Sequence, residues 1–222
     1  VQCTSIYDDQ GDVHTIWFKP RAGGLPALPI TIQSYLDERV TISGDSDNDN
    51  HFDGTRNAQF TCDATVDVGQ IGQHNGKRYF NWRNISFEKF EQGFYFDAQD
   101  GGPKGWSFDS ILFQYLGIYS WTDQPNLPMN FSSVCYKPSG DPYAPFTFKV
   151  HGLDNGTFIV RNSVFRHGCM WGHRHIGNKV SDGVGGNGGA VFIIENNEYY
   201  NINDVSNEIA HWDGTGLPNV VI

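Results

Sequence analysis

The amino-acid sequence predicts an all-β chain wound as a right-handed parallel β-helix, and three observations predict it. Short β-rich segments alternate with Gly, Pro, Asn and Asp turns along the 222 residues. One eight-residue pattern recurs four times, which a β-sandwich gives no reason to expect. No stretch carries the apolar period of a long amphipathic helix. A single domain over residues 1–222 is long enough to bury a substantial core.

The opening elements are Pro29–Ser34 and Arg39–Ser43, two short strands separated by a tight turn. Four superimposable segments follow: Phe80–Phe87, Trp106–Phe113, Phe158–Phe165 and Phe192–Tyr199. Each reads apolar, any, apolar, charged, Asn or Ser, two residues, then Phe or Tyr. Side chains alternate across a strand, so Phe80 and Trp82, Trp106 and Phe108, Phe158 and Val160, and Phe192 and Ile194 form the inward face. The charged Arg83, Asp109, Arg161 and Glu195 then face solvent. Asn84, Ser110, Asn162 and Asn196 are expected to turn inward at a bend and bond its backbone as a ladder. Phe87, Phe113, Phe165 and Tyr199 are expected to stack as an aromatic ladder. The interval from Ser110 to Asn162 is twice that from Asn84 to Ser110, leaving room for one degenerate or looped-out coil around Asn130 to Lys137.

The phrase GLPALPITIQSYLDERVTISG, residues 24–44, resembles the first coil of the pectate-lyase-like right-handed parallel β-helix superfamily. That resemblance implies stacked coils interrupted by loop insertions. It further implies chemistry carried on those loops, with Lys or Arg bases and Ca²⁺ in the lyases.

Composition narrows the function. A net charge of −10 argues against nucleic acid, which needs a concentrated basic surface. No apolar run is long enough for a membrane span. Cys3, Cys62, Cys135 and Cys169 contain no CxxC pair and are candidates for two disulfides, with three connectivities open. Sequons begin at Asn84, Asn130 and Asn155; together with the even cysteine count they predict a secreted, extracellular glycoprotein. The inward ladder would bury Asn84 and leave it unmodified, so Asn130 and Asn155 are the expected acceptors.

Four insertions carry candidate chemistry. In Gly44–Gly54, Asp45, Asp47, Asp49 and Asp53 alternate as in acidic loops that wrap Ca²⁺. An EF-hand does not fit, because its sixth position is Asn50 and its twelfth Arg56; a solvated acidic turn is the plainer account. In Phe165–Lys179, the basic cluster holds Arg166, His173, His175 and Lys179, able to neutralise a sugar carboxylate and abstract its α-proton. Ordinary surface histidines, or a metal site of His167 with Cys169, are the alternatives. The Asp97–Gly102 stretch carries two acids, read more simply as a capped turn than as a hydrolase pair. In the Pro-rich stretch beginning at Ser120, Trp121 and, further on, Tyr143 are candidates for stacking on sugar faces or for packing the loop onto the rod.

Asn219–Ile222 reads as the start of another strand, and no cap is visible at either end. The chain is therefore expected to be a fragment, to close with short loops, or to stack end to end with other copies. The functional expectation is a secreted carbohydrate-active or carbohydrate-binding protein with a polysaccharide or glycan as partner, lyase-like in its enzymatic version. The alternative is a non-catalytic surface or filament subunit.

Overall fold

A computed structural model describes residues 4–7, 13–36, 38–45, 70–73, 76–90, 92–96, 104–116, 147–151, 156–168, 176–177, 191–202 and 219–221. These residues are all strand, bend and turn, with no helix among them. The chain enters as β1 (Thr4–Tyr7), β2 (Val13–Phe18), β3 (Ile30–Gln33) and β4 (Val40–Ser43). It then makes four circuits of three strands each. These are β5 (Gln70–Gln73), β6 (Phe80–Arg83) and β7 (Ile85–Glu88); β8 (Gln92–Phe96), β9 (Trp106–Asp109) and β10 (Leu112–Gln114); β11 (Phe148–His151), β12 (Thr157–Arg161) and β13 (Val164–Gly168); and β14 (Ile176–Gly177), β15 (Val191–Glu195) and β16 (Glu198–Ile202). β17 (Asn219–Val221) follows.

Successive circuits add one strand to each of three sheets, ordered β1-β2-β5-β8-β11-β14, β3-β6-β9-β12-β15-β17, and β4-β7-β10-β13-β16. Every pairing is parallel except β1 with β2, which is antiparallel. This coil-upon-coil order is compatible with the predicted β-helix. The registers align the recurring segments residue for residue: Phe80, Trp106 and Phe158 are paired in sequence, as are Trp82, Phe108 and Val160. The opening strands lie where the sequence places them.

The inward face is as period-two alternation predicts. Phe80, Trp82, Trp106, Phe108, Phe158, Val160 and Ile194 are all buried. The aromatic ladder is present too. Phe87 and Phe113 stack at 5.5 Å, Phe113 and Phe165 at 5.2 Å, and Phe165 and Tyr199 at 5.0 Å, with interplanar angles of 17°, 11° and 11°. Phe94, Phe96 and Phe148 fill the centre from the first sheet, so the core is mostly rings. The first sheet is drawn close at Gly93, where a Cβ would lie 1.9 Å from the Thr147 carbonyl oxygen.

Two expectations are corrected. The Asn/Ser ladder is a real column, but it does not turn inward. Asn84, Ser110, Asn162 and Asn196 have φ of 51°, 59°, 51° and 53°, the left-handed region in which Asn is well tolerated. A left-handed residue interrupts the alternation, so the next residue points into the core instead. Ile85, Ile111 and Ser163 are buried, while Asn162 and Asn196 are exposed and Asn84 is only half-buried. The inward backbone-bonding role falls one position later. Ser163 Oγ donates to Arg161 O and accepts from Ile111 N, and Asn197 Nδ2 donates to Val160 O. Secondly, of the two alternatives for the doubled interval between Ser110 and Asn162, a degenerate coil within the stack is excluded: β9 pairs directly with β12 and β10 with β13. Asn130 to Lys137 lie outside the described residues.

Candidate functional site

The charged position of the repeat builds a column along the outside of the second sheet. Gln33, Arg83, Asp109, Arg161 and Glu195 are successive partners in register. Beside it runs the left-handed column, held by the backbone bonds Asn84 N to Asp109 O, Ser110 N to Arg161 O and Asn162 N to Glu195 O. Between the two columns lies a groove of about 360 Å³, lined by Gln33, Ser34, Leu36, Arg83, Asn84, Asp109, Ser110 and Arg161. That volume falls in the range of small-ligand sites, about 300–1,000 Å³.

The groove is electrically uneven. Asp109 is fully engaged: Oδ2 accepts from Arg161 Nε at 2.9 Å, and Oδ1 accepts from Asn162 Nδ2 at 2.9 Å and Ser110 Oγ at 3.2 Å. Burial pushes its carboxyl upward, but the bonds from Asn162 and Arg161, the Arg161 charge and the Ser110 hydroxyl together hold it below its ordinary value. Arg161 also reaches Glu195 at 3.9 Å. Arg83 is in register with Asp109 yet makes no side-chain bond or ion pair among the described residues, and it is exposed. Arg39 comes over the same bend, its Nη2 donating to Ser110 O at 3.5 Å. Asn84 Nδ2 donates to Ser34 Oγ at 2.6 Å and to Glu38 O at 3.2 Å, fixing the groove's far wall. Leu36 in that wall and Tyr35 beside it are 74% and 75% exposed, an apolar rim to a polar trough.

A second left-handed column follows the third sheet, at Lys89, Tyr115 and His167, with φ of 59°, 56° and 50°. Tyr115 and His167 stack at 5.6 Å, and Tyr200 meets His167 edge-on at 5.1 Å. Burial pushes the Tyr115 hydroxyl up. Burial, with the Arg166 charge adding to it, pushes His167 below its ordinary value, so the ring is neutral near pH 7.

Of the candidate functional residues singled out by sequence, the structure describes four: His167, in the column above, and Arg166, Asp45 and Asn84. Arg166 lies on the outer face of β13, its Nε donating to Gln114 Oε1 at 3.0 Å, with Gln114 in turn donating to Glu88. Asp45 is buried, its Oδ2 2.7 Å from Lys89 Nζ, which already supplies a positive charge at that carboxylate. Asn84 lines the groove. His173, His175, Lys179, Asp47, Asp49, Asp53, Asp97, Asp100, Asn130, Asn155, Trp121, Tyr143 and the four cysteines lie outside the described residues. Among those described, no three His, Cys, Asp or Glu side chains gather as a metal site requires. Among the described residues, no helix is long and apolar enough to cross a membrane.

Sequence reasoning missed the groove. It placed Arg83, Asp109 and Arg161 toward solvent and stopped there. The signal was present: the charge at one position of the repeat changes sign from segment to segment, as Arg83, Asp109, Arg161 and Glu195. No protein-family model matches the chain, nor does any curated protein or solved structure.

Proposed function

We propose that the chain is a secreted right-handed parallel β-helix that binds carbohydrate in the groove beside Asn84 and Ser110. The observation that carries this reading is the pairing of a polar trough with an apolar rim. Arg83, Asn84, Gln33 and Ser34 offer hydrogen-bonding groups along the floor, and Leu36 and Tyr35 offer exposed apolar surface above it. A sugar presents both kinds of surface, hydroxyl edges and apolar ring faces. Strand spacing sets one rung of the floor every ~4.8 Å, so a linear glycan lying along the stack meets a fresh set of polar groups at each circuit.

The test is titration of the full chain with defined oligosaccharides, followed by calorimetry or by the intrinsic fluorescence of the rim. Binding that weakens with Tyr35→Ala and Leu36→Ala supports the groove. Binding untouched by both variants moves the site elsewhere. The enzymatic version, with Arg166, His173, His175 and Lys179 acting on a uronate and Ca²⁺ held at Asp45, Asp47, Asp49 and Asp53, predicts unsaturated product absorbance from a uronate polymer. No absorbance on any uronate polymer removes it for those substrates.

A second reading, a structural subunit that stacks end to end, is favoured by the first circuit. β3 and β4 are the outer strands of their sheets, and Leu25, Leu28, Ile30 and Val40 are exposed there. Light scattering of the full chain tests it; a monomer at all concentrations removes it.

A further inference from the structure

We propose that the glycan taken by this groove carries a single negative charge on one sugar and none on the sugar next to it. This rests on the carbohydrate reading above and adds the charge pattern of the ligand. Of the charges lining the trough, only Arg83 has no partner among the described residues. Its guanidinium is exposed and presents a planar fork to a carboxylate or a sulfate ester. Arg39 adds a second positive charge over the same bend.

One rung further along the stack the sign changes. Asp109 stands next to Arg83 in register, ionised and held by Arg161, Asn162 and Ser110. Arg161 cannot offset a second ligand anion there, because Asp109 and Glu195 flank it on both sides. A polymer charged on every sugar therefore gains at Arg83 and loses about 4.8 Å away at Asp109. A polymer with its charge on alternate sugars meets Arg83 with the anion and lays a neutral, hydroxyl-rich sugar over Asp109. The carboxylate at Asp109 acts as a filter against uniform charge, and Arg83 as the anchor.

The experiment compares four oligosaccharides of equal length against the full chain by calorimetry at low ionic strength. A hyaluronan oligomer carries a carboxylate on alternate sugars, and a κ-carrageenan oligomer a sulfate ester on alternate sugars. Oligogalacturonate is charged on every sugar, and an agarose oligomer is neutral. At least one alternating ligand is expected to bind about three- to tenfold more tightly than both oligogalacturonate and the neutral ligand. Which of the two does so separates carboxylate from sulfate. Arg83→Gln is expected to remove that advantage, so that the alternating ligands bind the variant no more tightly than the neutral one does. Asp109→Asn is expected to raise affinity for oligogalacturonate; Arg83→Gln, at an exposed side chain, keeps the test informative if Asp109→Asn fails to fold. Oligogalacturonate binding as tightly as the alternating ligands overturns the charge pattern while leaving the carbohydrate reading intact. Neutral binding equal to all charged ligands does the same. Failure of all four overturns both.

Discussion

Replacing Phe113 by Ala tests the aromatic ladder at its most enclosed rung. The ring is fully buried, stacked between Phe87 and Phe165 at 5.5 and 5.2 Å, and meets Phe148 edge-on at 5.2 Å. Truncating a buried Phe to Ala costs about 3–5 kcal/mol through lost transfer energy and the cavity left behind. Rings packed on both faces cannot collapse into that space, which places the expected cost in the upper half of the range. For a chain of this size each kcal/mol moves Tm by about 2–4 °C, so the variant should melt roughly 8–20 °C lower. Phe113→Leu restores most of the volume but none of the ring geometry, and is expected to cost about 1–2 kcal/mol. Urea unfolding, followed by tryptophan fluorescence and by circular dichroism, measures both. Tyr199→Ala, at a half-buried ring with one stacked neighbour in the ladder, provides the comparison. If Phe113→Ala costs less than about 1 kcal/mol, or no more than Tyr199→Ala, the ladder is not what holds the circuits together.

Two tryptophans should respond differently to the same change. Trp82 buries its indole N–H with no partner among the described residues, whereas Trp106 Nε1 donates to Lys77 O at 2.9 Å. Trp82→Phe removes an unsatisfied donor worth about 1–3 kcal/mol and is expected within about 1 kcal/mol of the parent, while Trp106→Phe loses about 2–3 kcal/mol; denaturation midpoints decide, and equal losses refute the distinction. Gly93→Ala forces a methyl onto the Thr147 carbonyl, and a drop in Tm of less than about 5 °C would show that the first sheet yields there. His167 is held below its usual 6.5, so the unfolded chain binds its proton first. The stability this ring gives is present above about pH 6.5 and is lost as pH falls through its lower folded value; His167→Phe should flatten that portion of the stability–pH curve. Asp109 behaves likewise from pH 3.8 downward, and Asp109→Asn should remove that acid-limb contribution.

Much of the fold was legible because strand alternation is a local rule. Phe80, Trp82, Trp106 and Phe108 declare their side by spacing alone, and the pairing of like segments follows once they are superimposed. The bends were not legible in the same way. Asn84 and Ser110 signal a bend, but their φ decides whether they or Ile85 and Ile111 face inward, and period-two counting cannot carry a strand across a left-handed residue. Spacing also cannot tell a circuit from a connection, so the doubled interval between Ser110 and Asn162 left a degenerate coil and a looped-out one equally open until β9 was seen to pair directly with β12. For the site, the alternating charges were on the page as letters. That Asp109 commits itself to Arg161 and leaves Arg83 open depends on side-chain geometry, which no pattern of letters encodes.

β10 pairs directly with β13, and the chain leaves one circuit at Leu116 and enters the next at Thr147. Both of those residues are buried, so the connection between them is anchored at each end. Chain-closure entropy grows only slowly with length. That connection therefore adds little, through its length, to the entropy of closing the circuits on either side. In evolutionary and engineering terms it is a socket: a place where this scaffold can acquire new surface without renegotiating its core.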